Sequence, residues 1–198
     1  MISKGDQTRE AILDTGIAQA SLAGLEGISI GALAAQLSMS KSGLYAHFNS
    51  KENLQIALLE AATARFIEFV VMPALKAPRG EPRVRALFDR WLAWDRAEFL
   101  PGGCIFITAG VEFDERPGPV RDVLVKSQRD WIDTLAGAAR IAVQEGHFRD
   151  DLDARQFASE AFSLAYGYHF ISRLELDSDA AQRVDTAMKR LIHDAQSK

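Results

Sequence analysis

The 198-residue chain is 47% hydrophobic and 25% charged, with a net charge of −4 and a single cysteine, Cys104. The apolar content suffices for a sizeable core without disulfides or a metal, one cysteine excludes an intrachain disulfide, and no apolar run approaches the roughly 20 residues of a membrane span. The segment from Met1 to Asp6 lacks the apolar stretch of a signal peptide, so a cytoplasmic protein with no membrane partner is expected, and its acidity argues against a simple electrostatic attraction to nucleic acid.

Helical periodicity runs through almost the whole sequence, and hairpin signals are missing apart from a period-2 run over Cys104-Ile105-Phe106-Ile107. The first helix is expected from Gln7 to Ala23, with Asp6 as its cap and Gly24 near its end. Ser29 caps a short helix from Ile30 to Leu37, Ser38-Met39-Ser40 forms a tight turn, and a second short helix covers Lys41 to Phe48. Ser50 caps a long helix from Lys51, ended by Pro73 or by the Ala77-Pro78-Arg79-Gly80 stretch. Five further helices are predicted over Glu81–Phe99, Cys104–Phe113, Val120 to about Gly146, Ala154–Leu174 and Ser178–Ala195, separated by Pro101-Gly102-Gly103, Pro117-Gly118-Pro119 and polar turns. The fold class is therefore all-α. Short helices give way to long ones near residue 50, which suggests a small domain over residues 1–50 and a larger helical body over 51–198.

Two short helices joined by a tight turn, about 30–49, make a helix-turn-helix whose second helix fits the DNA major groove. Ile28, Leu33, Ala34, Leu37, Met39, Leu44 and Phe48 supply its core, leaving Lys41, Ser42, Gly43, Tyr45 and His47 on the outer part of the second helix. Lys41 suits a phosphate or a guanine edge, Ser42 and Tyr45 offer hydroxyls, and Gly43 allows close backbone approach; Lys51 can hold a phosphate at the next helix start.

The run from Leu33 to Leu54, with Ser40-Lys41, Leu44-Tyr45, His47-Phe48, Lys51 and Leu54 at their spacings, closely resembles the DNA-binding signature of TetR-family transcriptional regulators. The close resemblance covers roughly Thr8 to Leu58, and beyond it the helical layout and chain length also match. It implies that Ser29, Ser40, Lys41, Ser42, Gly43, Tyr45, His47 and Lys51 face DNA, with Tyr45, His47, Lys51 and Ser29 mainly on phosphates. It further implies a homodimer on a palindromic operator, and a larger body that takes a small-molecule effector and needs no cofactor. One departure is Ser38, where the family often has Gly. A positive φ would cost Ser38 roughly 1 kcal/mol, so a slightly different turn is expected there.

Charge runs against this reading. Over residues 1–60, Lys4, Arg9, Lys41 and Lys51 face Asp6, Glu10, Asp14, Glu26, Glu52 and Glu60, a net −2. DNA binding must then rest on local placement and neutral donors, with a shallow salt dependence.

Several other patterns compete for attention. Gly27-Ile28-Ser29-Ile30-Gly31 matches the G-x-S-x-G nucleophile elbow of hydrolases, which needs a preceding strand that the sequence does not offer. The four histidines lie far apart and form no metal pair. Cys104 at a helix start is either a redox or electrophile sensor or a buried small hydrophobe. Trp91, Trp94, Phe106, Phe113 and Trp131 are core residues by periodicity and effector-pocket candidates by the family resemblance, and their apolar walls would suit a hydrophobic or aromatic effector; His169, among Tyr166, Tyr168 and Phe170, either lines that cavity or is a hydrogen-bonded core or interface histidine. Val184, Met188, Leu191 and Ile192 form a stripe expected to meet Phe162, Ala165, Ile171 and their two-fold mates in a dimer.

Overall fold

A computed structural model describes residues 4–196. The described residues form nine helices and no strand. They are α1 (Lys4–Ala23), α2 (Ile30–Gln36), α3 (Lys41–Phe48), α4 (Lys51–Phe66, extended by Ile67–Val71 and Met72–Ala74), α5 (Glu81–Asp95), α6 (Ile105–Phe113), α7 (Pro119–Gln144), α8 (Ala154–Arg173) and α9 (Ala180–Gln196). None is long and apolar enough to cross a membrane.

Three expected boundaries shift. Helix α1 is already formed at Lys4, so Asp6 sits in its first turn, where a carboxylate favours the positive end of the helix dipole, and does not cap it. Helix α5 stops at Asp95, because the chain then closes two successive turns, Leu100 N–H to Ala97 O at 2.8 Å and Gly103 N–H to Leu100 O at 2.8 Å. The period-2 run after Gly103 is helical, with Cys104 as the residue before α6.

Pro73 does more than end α4. It has no N–H to donate and its ring would strike the carbonyl four residues back, Phe69 O. Upstream the helix widens into a π segment over Ile67–Val71, and Met72 N–H bonds to Ile67 O, five residues back.

The chain divides into two compact units, Met1–Arg65 with Arg96–Ser127, and Phe66–Asp95 with Gln128–Lys198. The first contains all of residues 1–50 and also α6. Its buried residues include Ile12, Ile17 and Ala20 of α1, Leu33 and Ala34 of α2, Leu44 and Phe48 of α3, and Leu54 and Leu58 of α4. Arg65 and Asp14 form an ion pair between α4 and α1.

In the second unit, α9 presents Val184, Met188 and Ile192 inward together with Ala180 and Ala195. They belong with Ala154, Phe157, Ala158, Ala161, Ala165 and Tyr168, the buried stripe of α8. The expected dimer stripe is therefore corrected: Val184, Met188, Ile192 and Ala165 are buried within the chain itself. Periodicity identified the buried face, and the burying surface is the chain's own. Leu191, Phe162 and Ile171 are half-buried. Arg85 pairs with Asp185, tying α5 to α9, and Lys189 lies 2.7 Å from the same carboxylate.

Candidate nucleic-acid interface

Helix α2 starts at Ser29, whose Oγ accepts the Ala32 N–H at 3.4 Å. Helix α3 starts at Ser40, whose Oγ accepts the Gly43 N–H at 3.0 Å and lies 3.2 Å from Ser42 Oγ. Each hydroxyl satisfies one of the donors a helix start leaves open. The turn between them corrects one expectation. Ser38 does take a positive φ, 54°. Its cost is offset because the left-handed residue lets Ser38 N–H reach Ala35 O at 3.1 Å and Met39 N–H reach Ala34 O at 2.8 Å, closing the end of α2.

Leu44 and Phe48 bury one side of α3. Lys41, Ser42, Tyr45 and Ala46 are exposed, and their i, i+1, i+4, i+5 spacing puts them on one side of the helix. Gly43 and His47 lie off this arc and are half-buried. A Cβ on Gly43 would press on Ser40 Oγ at 3.0 Å. The His47 carbonyl accepts Arg9 Nη1 at 3.1 Å, and the same guanidinium sits 4.5 Å over the Phe48 ring. Two relevant residues escaped the sequence reading. Ala46 shares the exposed arc and offers a methyl group to thymine, a signal present in its spacing from Ser42. Arg9 clamps α3 from α1, and nothing in its local sequence marks that role.

Lys51 is less available than expected. Its Nζ donates to Glu26 O at 2.7 Å and stands 3.6 Å from Glu26 Oε2. Glu26 is held below the usual carboxylate range by the Gln55 side-chain hydrogen bond first, then by Lys51 and Arg116. A depressed carboxyl stabilises the fold above its unfolded pKa, and that contribution is lost as pH falls through the folded value. The first unit should therefore lose stability below about pH 4, and Glu26→Gln should flatten that acid limb in pH-dependent thermal melts. An unchanged limb in the variant would contradict it.

The effector-pocket candidates divide between the units. Phe106 and Phe113 belong to the first, whereas Trp91, Trp94, Trp131 and His169 belong to the second. All five aromatics are buried. Trp94 and Trp131 both meet the Phe66 ring edge-on, at 5.4 and 4.9 Å. His169 Nδ1 is 2.7 Å from Oδ1 of Asp95, a carboxylate only 1% exposed. Arg173 Nη2 donates to Asp95 O at 2.9 Å. This His-Asp-Arg grouping was not foreseen. Cys104 is buried. Gly27–Gly31 leads from a loop into α2 with no strand before it, and the Ser29 hydroxyl serves the helix. Among the described residues no group of three His, Cys, Asp or Glu is placed to hold a metal.

The family model for the bacterial regulatory proteins of the tetR family matches residues 12–62, and that for the tetracyclin repressor-like C-terminal domain matches residues 80–188. The chain belongs to the TetR family. It is a transcriptional regulator with a DNA-binding helix-turn-helix. No curated protein sequence matches this TetR-family chain. Solved structures share its fold. A TetR-family regulator from Cytophaga hutchinsonii superposes with a TM-score of 0.86 at 20% identity, covering 100% of this chain and 99% of its own. A regulator from Saccharomonospora viridis in complex with choline gives 0.81 at 20% identity, over 94% and 96%. AibR in complex with isovaleryl coenzyme A and operator DNA gives 0.72 at 24% identity, over 92% and 97%.

Proposed function

We propose that this TetR-family chain is a dimeric repressor that holds a palindromic operator and releases it when a small hydrophobic or aromatic effector binds. The observation that carries the reading is the exposed arc of Lys41, Ser42, Tyr45 and Ala46 on a helix capped at Ser40 and clamped by Arg9. Residues 1–50 act as the reader, with Lys41 and Ser42 toward base edges and Tyr45 toward the backbone. Ser29, Ser40, Gly43 and His47 set the helix ends and spacing, and Lys51 reaches a phosphate only while loosening its hold on Glu26. Residues 51–198 carry effector binding and dimerisation. Trp91, Trp94, Trp131 and His169 are the effector-recognition candidates of the second unit, and Phe106 and Phe113 are separate candidates in the first. The acyl-coenzyme A and choline complexes of AibR and the Saccharomonospora regulator support an effector in this fold without naming this one.

For the dimer, the outward side of α8 and α9 carries a groove of about 470 Å³ lined by Ser159, Ser163, Leu164, Ala187 and Leu191, with Glu160 and Asp194 near Arg190. A two-fold mate would bring opposite charges together across it. Effector binding need only favour the released form by about 1–3 kcal/mol to change operator affinity about 5- to 150-fold.

The test is fluorescence anisotropy on a duplex selected by the protein from random DNA. Arg9 and Lys51 are engaged inside the fold. Even two cations per protomer freed to meet phosphates would be four for a dimer, at about −0.9 per phosphate, so the slope of log affinity against log salt should be no steeper than about −4. A slope near −10, or a monomer on the duplex by sedimentation, would refute the proposal.

A further inference from the structure

The loop joining α1 to α2 has no helical or sheet ladder for its central residues, yet the N–H and C=O groups of Leu25 and Glu26 are all taken. Leu25 N–H donates to Glu112 Oε2 at 2.7 Å, and Glu26 N–H reaches the same oxygen at 3.4 Å. Leu25 O accepts Gln55 Nε2 at 3.0 Å, and Glu26 O accepts Lys51 Nζ at 2.7 Å. Glu112 belongs to α6, and Gln55 and Lys51 belong to α4.

The Glu112 contact is built in at close quarters. Gly24 has φ +75°, and a Cβ there would fall 1.9 Å from Glu112 Oε1. Glycine is thus needed twice, for the left-handed backbone and for the carboxylate's approach. Arg116, just past α6, reaches Glu26 Oε2 at 3.8 Å. Ahead of α6, Gly102 N–H donates to Ser21 Oγ at 3.0 Å, and a Cβ on Gly102 would meet Ser21 O at 1.8 Å. Segment 102–116 therefore grips the end of α1 and the loop after it at three points.

We propose that Glu112 is a positioning residue for DNA binding. Its carboxylate fixes the α1–α2 loop, hence the point from which Ser29 and α2 start and the angle at which α3 is presented. A dianchored loop spanning only Gly24 to Ser29 cannot shift at one end without carrying α2 with it. The proposal rests on the reading of α3 as the operator-binding helix.

The experiment uses the full chain and a duplex selected from random DNA by the wild-type protein. Affinity, thermal midpoint and amide hydrogen exchange of residues 24–29 are measured for Glu112→Ala, Glu112→Asp, Glu112→Gln and, as controls, Asp14→Ala and Lys41→Ala. Asp14 pairs with Arg65 in the same unit, ten residues before the loop begins at Gly24. Glu112→Ala and Glu112→Asp, the latter one methylene short, should weaken binding about 5- to 150-fold and speed exchange at Leu25 and Glu26. Glu112→Gln, which keeps an acceptor oxygen, should restore most of the affinity. Asp14→Ala should bind as wild type even where its midpoint falls as far. Should Glu112→Ala fail to fold, Glu112→Asp decides. Wild-type affinity in Glu112→Asp, or losses that merely track the midpoint as in Asp14→Ala, would overturn the proposal. Undiminished binding by Lys41→Ala would instead overturn the reading beneath it.

Discussion

Asp95→Ala should cost the second unit about 2–4 kcal/mol, from the lost hydrogen bond to a buried carboxylate and the space it empties. The carboxylate is 1% exposed and sits 2.7 Å from His169 Nδ1. Arg173, whose Nε lies 3.9 Å from Oδ2, also bonds the Asp95 carbonyl at 2.9 Å. Alanine would remove the acceptor of His169, itself 14% exposed. Asp95→Asn keeps an acceptor oxygen and loses only the charge, so it should cost less, about 1–3 kcal/mol. In a chain of this size each kcal/mol moves the thermal midpoint by about 2–4 °C, so calorimetry resolves the two variants from each other. An alanine variant within about 1 kcal/mol of wild type would show that water reaches the site and replaces the carboxylate.

Of that cluster only His169 stands out in the sequence. Asp95 follows Trp91 and Leu92 by one helical turn, on the face they bury, but its partner lies 74 residues away. Glu112 is hidden for the same reason, at 87 residues from Leu25. What periodicity and capping do encode is local. The limits of α3, Lys41–Phe48, follow from Ser40 on one side and the Leu44 and Phe48 spacing with Asn49 on the other, and Asn49 ends the helix with φ 64°. Pro73 marked the end of α4, while the widened turn before it depends on where the freed carbonyls can go.

The two misjudged features are instructive in physical terms. At Ser38 a steric cost of roughly 1 kcal/mol was weighed without the two backbone hydrogen bonds that the strained residue makes possible. On α9 the apolar stripe specifies burial and not the surface that supplies it, so it does not by itself separate the chain's own α8 from a two-fold mate. Aromatics raise the same ambiguity. Trp94 and Phe113 look alike as candidates, yet they lie in different compact units. Sequence pattern therefore marks the helix-turn-helix from its own residues, whereas the contacts of the buried aromatics depend on segments far away in the chain.

Substituting Lys41 and Tyr45 by alanine should produce the largest change in DNA binding with the smallest change in fold. Both side chains are exposed, Tyr45 to 49%, so the helix-turn-helix core of Leu33, Leu44 and Phe48 is untouched. In a dimer each substitution is made at both half-sites. A contact worth about 1–3 kcal/mol is then lost twice, so affinity for the selected duplex should fall roughly 30-fold to ten-thousand-fold. The two residues should also fail differently. If Lys41 reads a guanine edge, its loss relaxes preference at one position of each half-site and leaves other positions intact. If Tyr45 holds the backbone, its loss weakens all sequences equally, and the salt slope stays the same because a phenol displaces no counterion. Thermal midpoints within about 2 °C of wild type would accompany both. Retained affinity in the double variant would mean that the exposed arc of α3 does not meet DNA, whatever its resemblance to helices that do.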